Sequence, residues 1–418
     1  MTQKPMIFPT FFLSGFECST FDWKDQGRRD LVEETQHRSH ADEDYRFLAS
    51  LGLGVAREGI PWPLVERGAG TYDFSPVESF AAAQKRWKVT PIWDLCHYGV
   101  PDSCDPFDDQ FANRFAAYAA AAARWVLEQQ PHGPWFFTPI NEISHFALMG
   151  GAWGWCAPFR KSAGDRRRLG MALAKADIFA AKAIRAVIPE ARLIHIEPLL
   201  HVVPPRDRPD LAEAAHRAEC VEPYEALDAI AGRTHPEWGG SPELLDIVGF
   251  NNYAFGQQEY KPEGGPYPAL KPDDDRIVPV FDLILRGYRR YGRPIIIAET
   301  SGLKGGRDDW FRDLLLECMA AVNSGVDLHG ICLFPGVDMP SWSEGGWLHN
   351  GIADLEELPS GTLMRKPCVA YVQELRRWQR KLKRVESLDE DPLDTPVELQ
   401  DIVEAAREWK PRPDPDWY

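Results

Sequence analysis

The chain contains no run of about 18 apolar residues, and its opening segment, MTQKPMIFPTFF, lacks a basic stretch followed by an apolar one. Neither a membrane span nor a secretory leader is therefore expected, and the cytoplasm is the expected compartment. An excess of positive charge is missing as well. Against 47 lysines and arginines stand 63 acidic residues, a formal net charge of −16, so electrostatic binding to nucleic acid or to an anionic membrane is not expected. The eight cysteines (Cys18, Cys96, Cys104, Cys156, Cys220, Cys318, Cys332 and Cys368) form no C-x-x-C pair and no Cys/His spacing of the zinc kind. A chain this large needs no disulfide staples, so they read as reduced thiols. His195 and His201 flank Glu197, yet no H-x-x-x-H helix backs them as metal ligands. No G-x-G-x-x-G follows any apolar run, which removes the dinucleotide-binding loop. No cofactor, no metal and no internal repeat is expected.

What the sequence holds in quantity is apolar and aromatic. Hydrophobic residues make up 44% of the chain and 15 residues are tryptophan, enough for a large core. Indole faces stack on the C–H faces of sugar rings and fill barrel walls equally well, so each tryptophan carries both readings. Trp153, Trp155, Trp342 and Trp347 are the ones placed to serve as sugar platforms.

At 418 residues the chain has room for one large α/β barrel or for two to three smaller domains, and the order of elements decides. Short runs rich in β-branched and aromatic residues predict strands at 7–16, 55–59, 89–95, 135–142, 193–196, 247–250, 294–298 and 330–334. Helical spacing of apolar residues lies between them, at 41–51, 77–86, 111–125, 169–188, 280–291, 310–322 and 370–382. Strict alternation of this kind favours a closed (β/α)8, or TIM, barrel over an open doubly wound sheet. The catalytic barrel is assigned to residues 1–383. Residues 384–418 turn acidic and Pro-rich and read as a tail with one helix at 396–409. Residues 17–39 are expected to be a charged loop over the barrel mouth, 150–158 a Gly/Trp loop without regular structure beside the cleft, and 256–276 a mobile loop. Residues 198–242 carry no clear pattern.

Two of the strands stop at a glutamate: WFFTPINE at Glu142 and PIIIAE at Glu299. In a parallel barrel all C-terminal strand ends open on one face, so these carboxylates can meet despite the distance between them in sequence. A carboxylate pair facing one cleft is the equipment of glycoside hydrolysis. One strand-end glutamate alone is commonly structural; the pair, with Arg57, His97, Asn141 and Tyr253 at other strand ends, points to chemistry. Cys18 and Cys96 close their strands without a base at motif spacing, so thiol catalysis is not expected.

The order of motifs resembles the family 1 glycoside hydrolases, the β-glucosidase family. TPINEI (138–143) resembles that family's T-x-N-E-P, and IIIAETSG (295–302) its I-x-E-N-G. FLSGFECST (12–20), the segment 45–66 with Arg57, VTPIWDLCHYGVP (89–101) and DIVGFNNYAF (246–255) resemble the family's first, second, third and sixth strand segments. The resemblance implies a retaining β-glycosidase with Glu142 as acid/base and Glu299 as nucleophile. It further implies that Asn141 binds the sugar 2-hydroxyl, that Arg57 and Tyr253 flank the nucleophile, and that His97 faces the glycone. The implied partner is a small carbohydrate or glycoside, and a homo-oligomer is left open.

Departures from the family pattern fall on the sugar contacts. No glutamine follows the first strand, where the chain runs CSTFDW (18–23), and the eighth strand leads into FPGVDMPSW (334–342). Trp342 is expected to keep the stacking role, with Asp338 or Glu344 supplying polar contacts. Ile143 stands where the motif has proline after the glutamate. These changes motivate two alternatives on the same barrel, a carbohydrate-binding pseudoenzyme and a transglycosylase.

Overall fold

Eight short apolar runs pair in parallel and close on themselves into a barrel. In this computed structural model, which describes residues 7–342, 345–384 and 396–408, the strands are β1 (Phe12–Gly15), β2 (Val55–Gly59), β3 (Thr90–Asp94), β4 (Phe136–Thr138), β5 (Arg192–Pro198), β6 (Ile247–Asn251), β7 (Ile295–Thr300) and β8 (Leu328–Leu333). They follow one another around the barrel in chain order, with β8 pairing to β1. The molecule is a (β/α)8 barrel, as the alternation predicts.

Alternation along the strands divides the core in two. Leu13, Val55, Ile92, Phe136, Ile194 and Ile296 fill the barrel interior, while Phe12, Ala56, Trp93, Phe137, Leu193 and Ile297 pack outward. Helices cover the outer layer: α1 (His37–Ser50), α2 (Glu78–Trp87), α3 (Phe111–Gln129), α4 (Ala163–Val187), α5 (Glu225–Ile230), α6 (Val280–Tyr291), α7 (Arg307–Asn323) and α8 (Val369–Lys383). Helix α3 buries Phe111, Phe115, Tyr118, Ala122 and Trp125, the stripe expected from their spacing. Ser162 caps α4 by accepting the amide of Asp165, which starts that helix a turn and more before the predicted position.

Several local expectations are corrected. The strand predicted through Glu142 ends at Thr138, because Pro139 has no amide to continue the ladder. Residues 17–39 are no open loop: Thr20–Trp23 and Gly27–Asp30 form an antiparallel hairpin, a helical turn Leu31–Glu34 follows, and α1 begins at His37. Residues 150–158 were expected to be irregular, yet Leu148–Trp153 forms a turn of π-helix. A Cβ on Gly151 would lie 2.6 Å from the Arg166 Cα, so glycine is what lets this turn press on α4. In 198–242 the chain forms the helices Ala212–Cys220 and α5, and Gln257–Glu259 pairs with His201–Val203.

A last helix, α9 (Leu399–Glu408), buries Leu399, Ile402 and Ala406 against α7 and α8. The amide of Phe11 donates to the Val397 carbonyl at 2.9 Å, joining this segment to the start of β1. Residues 385–395 and 409–418 of the predicted tail, and Glu344, lie outside the described residues. Among the described residues no helix is long and apolar enough to cross a membrane. All eight cysteines are unpaired.

Candidate active site

The C-terminal ends of the strands surround a cavity of about 430 Å³. Arg57 lies beneath it. Sharing parity with the inward Val55, its side chain enters the barrel, while Glu58 turns outward to His37 and Tyr45 of α1. The guanidinium donates to Glu299 Oε1 at 2.6 Å, to Asp94 Oδ2 at 2.6 Å, to Asn141 Oδ1 at 2.9 Å and to the Ala298 carbonyl at 3.1 Å. It thereby ties together the ends of β2, β3, β4 and β7.

Glu299 reaches the cavity against strict alternation. Ala298 faces the barrel interior, which on a regular strand sends residue 299 outward. The pairing of β7 with β6 shifts register between Phe250 and Asn251, and its pairing with β8 shifts between Ile297 and Thr300. Such irregularities re-aim side chains at barrel rims. Glu299 accordingly lines the cavity, where Tyr253 donates to its Oε2 at 2.9 Å.

Glu142 sits beyond the end of β4, held by backbone bonds from the segment that carries it. The Asn141 amide donates to the Cys96 carbonyl at 3.0 Å and the Glu142 amide to the Ile196 carbonyl at 3.1 Å. Glu142 itself adopts a left-handed backbone, φ 43°, as does Tyr98, φ 69°, a conformation that non-glycine residues avoid. The two strained residues touch, Tyr98 OH donating to Glu142 Oε2, and Asn251 Nδ2 donates to Glu142 Oε1 at 3.0 Å. Immediately after, the Ser144 amide donates to both oxygens of the buried Glu197 at 3.2 Å, which pins the turn from below.

Burial raises both Glu142 and Glu299 above the usual carboxylate value. At Glu299 the Arg57 charge opposes that rise most strongly, and at Glu142 the opposition comes first from the neutral donors Tyr98 and Asn251. Burial also works against charging His97, but the acidic company of Glu17 and Asp94 prevails and raises its pKa. At the half-buried ring of His145 desolvation outweighs the Glu299 charge, drives the pKa down to about 4 and leaves the ring neutral.

Seven of the residues singled out from the sequence come together. Glu142, Glu299, His97, Tyr253 and Trp342 line the cavity. Arg57 and Asn141 stand behind them; Asn141 Oδ1 accepts from Arg57, and its Nδ2 donates to the Tyr98 hydroxyl at 3.1 Å and lies 3.3 Å from His97 Nε2. Trp342 is wedged among Phe21, Trp23, Tyr98 and His145. Trp153 and Trp155 line the cavity, whereas Trp347 does not. Asp338 is turned away: its Oδ1 accepts the amides of Met339 at 2.9 Å and Asn350 at 3.1 Å, so it holds the loop after β8.

Three cavity residues carried no role in the sequence reading. Tyr98 and Asn251 had strand-end position as their signal. Glu17 was hidden in the charged segment; it is buried, its Oε1 accepts the Ser19 amide at 2.9 Å, and it lies 3.8 Å from His97 Nε2. Cys18, which has no base at motif spacing in the sequence, lies with its Sγ 3.4 Å from His97 Nδ1, the nitrogen that also faces Asp94 Oδ2 at 3.1 Å. Desolvation pushes that thiol up to about 12, so it remains protonated and is no nucleophile.

Two groups bring donor atoms within 4.8 Å of one another as a cation site would: Cys18 with Asp94 and His97, and Asp338 with His349 and Asp354. Each already has a resident guanidinium, Arg57 on Asp94 and Arg307 on Asp354. His195 and His201 point to different partners, Asp177 at 2.9 Å and Glu219 at 3.0 Å.

No protein-family model matches the sequence, and no curated protein matches it. Solved structures do resemble the fold. A β-glucosidase from Thermotoga maritima in complex with azafagomine superposes with a TM-score of 0.68 at 17% identity, covering 88% of this chain and 97% of that one. The same organism's β-glucosidase in complex with deoxynojirimycin gives 0.69 at 18% identity over 88% and 99%, and a structure described as its family 1 β-glucosidase gives 0.68 at 16% over 89% and 98%. At such identity the likeness is one of architecture: the chain has the (β/α)8 barrel fold seen in a family 1 β-glucosidase.

Proposed function

We propose that the chain is a retaining β-glycosidase, hydrolysing β-linked glycosides by double displacement with Glu299 as nucleophile and Glu142 as acid/base. The observation that carries this reading is the unequal company of two carboxyls on one cavity. Glu299 is held by a guanidinium at 2.6 Å and a phenol at 2.9 Å, while Glu142 has only neutral donors. Two buried carboxyls sharing a site keep one proton between them, and the Arg57 charge assigns that proton to Glu142.

In the first step the Glu299 carboxylate attacks the anomeric carbon as the bond to the leaving oxygen breaks and Glu142 gives that oxygen its proton. In the second step Glu142, now a carboxylate, takes a proton from water, whose oxygen attacks the anomeric carbon and frees Glu299. Tyr253 and Arg57 hold the attacking carboxylate. His97 and Trp342 contact the glycone, and Asn141 orients Arg57, His97 and Tyr98 with the sugar 2-hydroxyl as a further partner. The catalytic unit is residues 1–383, with 384–418 appended to it, and eight unpaired thiols suit a cytoplasmic setting.

The test is a panel of nitrophenyl β-glycosides, followed by proton NMR of the first-formed sugar. The first product is expected to be the β anomer and Glu299→Ala to be inactive. Azide is expected to rescue Glu142→Ala on an activated substrate. An α-configured first product, or an azide-insensitive Glu142→Ala, rules the assignment out.

A further inference from the structure

The cavity changes character along its depth. Residues at or just past the strand ends are polar: Tyr98 after β3, Asn251 on β6, Glu299 on β7. Farther along the same loops the lining turns apolar, with Leu148 and Met149 after β4, Leu200 after β5, Phe255 after β6 and Leu303 after β7. Phe255 and Leu303 are 49% and 42% exposed, two of the six large apolar side chains left in water among the described residues. Phe255 lies flat on Tyr253, rings 5.1 Å apart and inclined by 8°, so the apolar wall continues directly from a residue that holds Glu299.

Three polar side chains of the cavity wall are already committed. Arg166 is paired with Glu222 and Glu225 at 3.3 Å, Ser144 with Glu197, and Gln258 Nε2 donates to the Phe255 carbonyl at 2.6 Å. A second sugar seated there surrenders water from its hydroxyls with Arg166, Ser144 and Gln258 already occupied, whereas an apolar group covers the exposed surface of Phe255 and Leu303.

We propose that the outer cavity receives an apolar, non-sugar leaving group, so that the substrates are alkyl or aryl β-glycosides rather than oligosaccharides. This rests on the glycosidase reading above, which seats the sugar on the polar floor and sends the leaving oxygen outward past Phe255 and Leu303.

The test is calorimetric binding of n-alkyl β-D-glucosides from methyl to octyl, and of cellobiose, to the full chain, with hydrolysis of the same compounds measured in parallel. Each added methylene is expected to raise affinity roughly four-fold until the outer cavity is filled, the effect of burying one methylene. Cellobiose is expected to bind no better than methyl glucoside. Phe255→Asp and Leu303→Asp, checked for an unchanged Tm, lower octyl glucoside affinity at least about ten-fold, and Phe255→Leu retains it. Affinity that is flat along the series, no binding of octyl glucoside, or tighter binding of cellobiose than of octyl glucoside overturns the inference. Chain-length dependence without hydrolysis of any member upholds the apolar outer cavity and overturns the proposed reaction instead.

Discussion

Arg57 on β2 and Glu299 on β7 are joined across the barrel by a 2.6 Å salt bridge, with side chains 2% and 7% exposed. The other end of the guanidinium reaches Asp94 at 2.6 Å, and His97 Nδ1 lies 3.1 Å from the same carboxylate, so Arg57 bridges two carboxylates where little water can reach. Removing one member of such a buried group leaves the others uncompensated, at a cost of about 3–5 kcal/mol. Arg57→Met is expected to lose that much stability in urea denaturation, together with turnover. A loss below about 1 kcal/mol, the worth of a surface ion pair, is incompatible with the arrangement.

Tyr253→Phe removes one hydrogen bond to Glu299 Oε2 and leaves Arg57 in place. A bond to a charged group contributes about 1.5–3 kcal/mol, so kcat is expected to fall by roughly ten- to a hundred-fold with little change in Tm. An unchanged kcat excludes Tyr253 from holding the proposed nucleophile.

The pH dependence of kcat/KM follows from burial raising both glutamates. The proposed double displacement requires Glu299 charged and Glu142 protonated, so activity is expected to rise as the pair loses its first proton and to fall as it loses the second, with both limbs above ordinary carboxylate titration. On a dinitrophenyl glycoside, whose leaving group needs no acid, Glu142→Gln is expected to abolish the alkaline limb. Persistence of that limb at the same pH assigns it to another group, with raised His97 the nearest choice.

Outside the site, His37 is clamped between Asp44 Oδ2 at 2.7 Å and Glu58 Oε2 at 2.9 Å, all three fully buried. Burial opposes its charge, but Glu58 and Asp44 outweigh it and raise the pKa from 6.5 to about 9. A raised folded pKa stabilises fully below the unfolded value and loses that effect as pH climbs through the folded one. Unfolding free energy is therefore expected to decline between pH 6.5 and about 9, by up to about 3 kcal/mol, and His37→Gln to flatten that slope. A slope identical in wild type and variant refutes the clamp.

Ile402, on α9, is wholly buried against the barrel helices. Ile402→Ala is expected to destabilise the chain by about 2–4 kcal/mol. A change too small to measure would mean that α9 contributes nothing to the barrel's stability.

The positions of the eight strands were readable because short apolar runs, and the alternation within them, are local signals. The same is true of Glu142, Glu299 and Arg57, each a polar residue in or just past such a run. Less was readable where the partner is remote. Tyr98 and Asn251 are ordinary loop and strand residues until the barrel brings them to the two oxygens of Glu142. Cys18 gains His97 only because the segment after β1 folds over the end of β3.

Composition and periodicity thus settle the class of fold and which residues stand at the rim, since burial of a strand depends on its own pattern. Which rim side chains face inward, and what each one touches, follows from closure. Glu299 illustrates the divide: its parity alone sends it outward, and only the broken register between β6, β7 and β8 turns it into the cavity. Register is set by the pairing of distant strands, a property that no single segment contains.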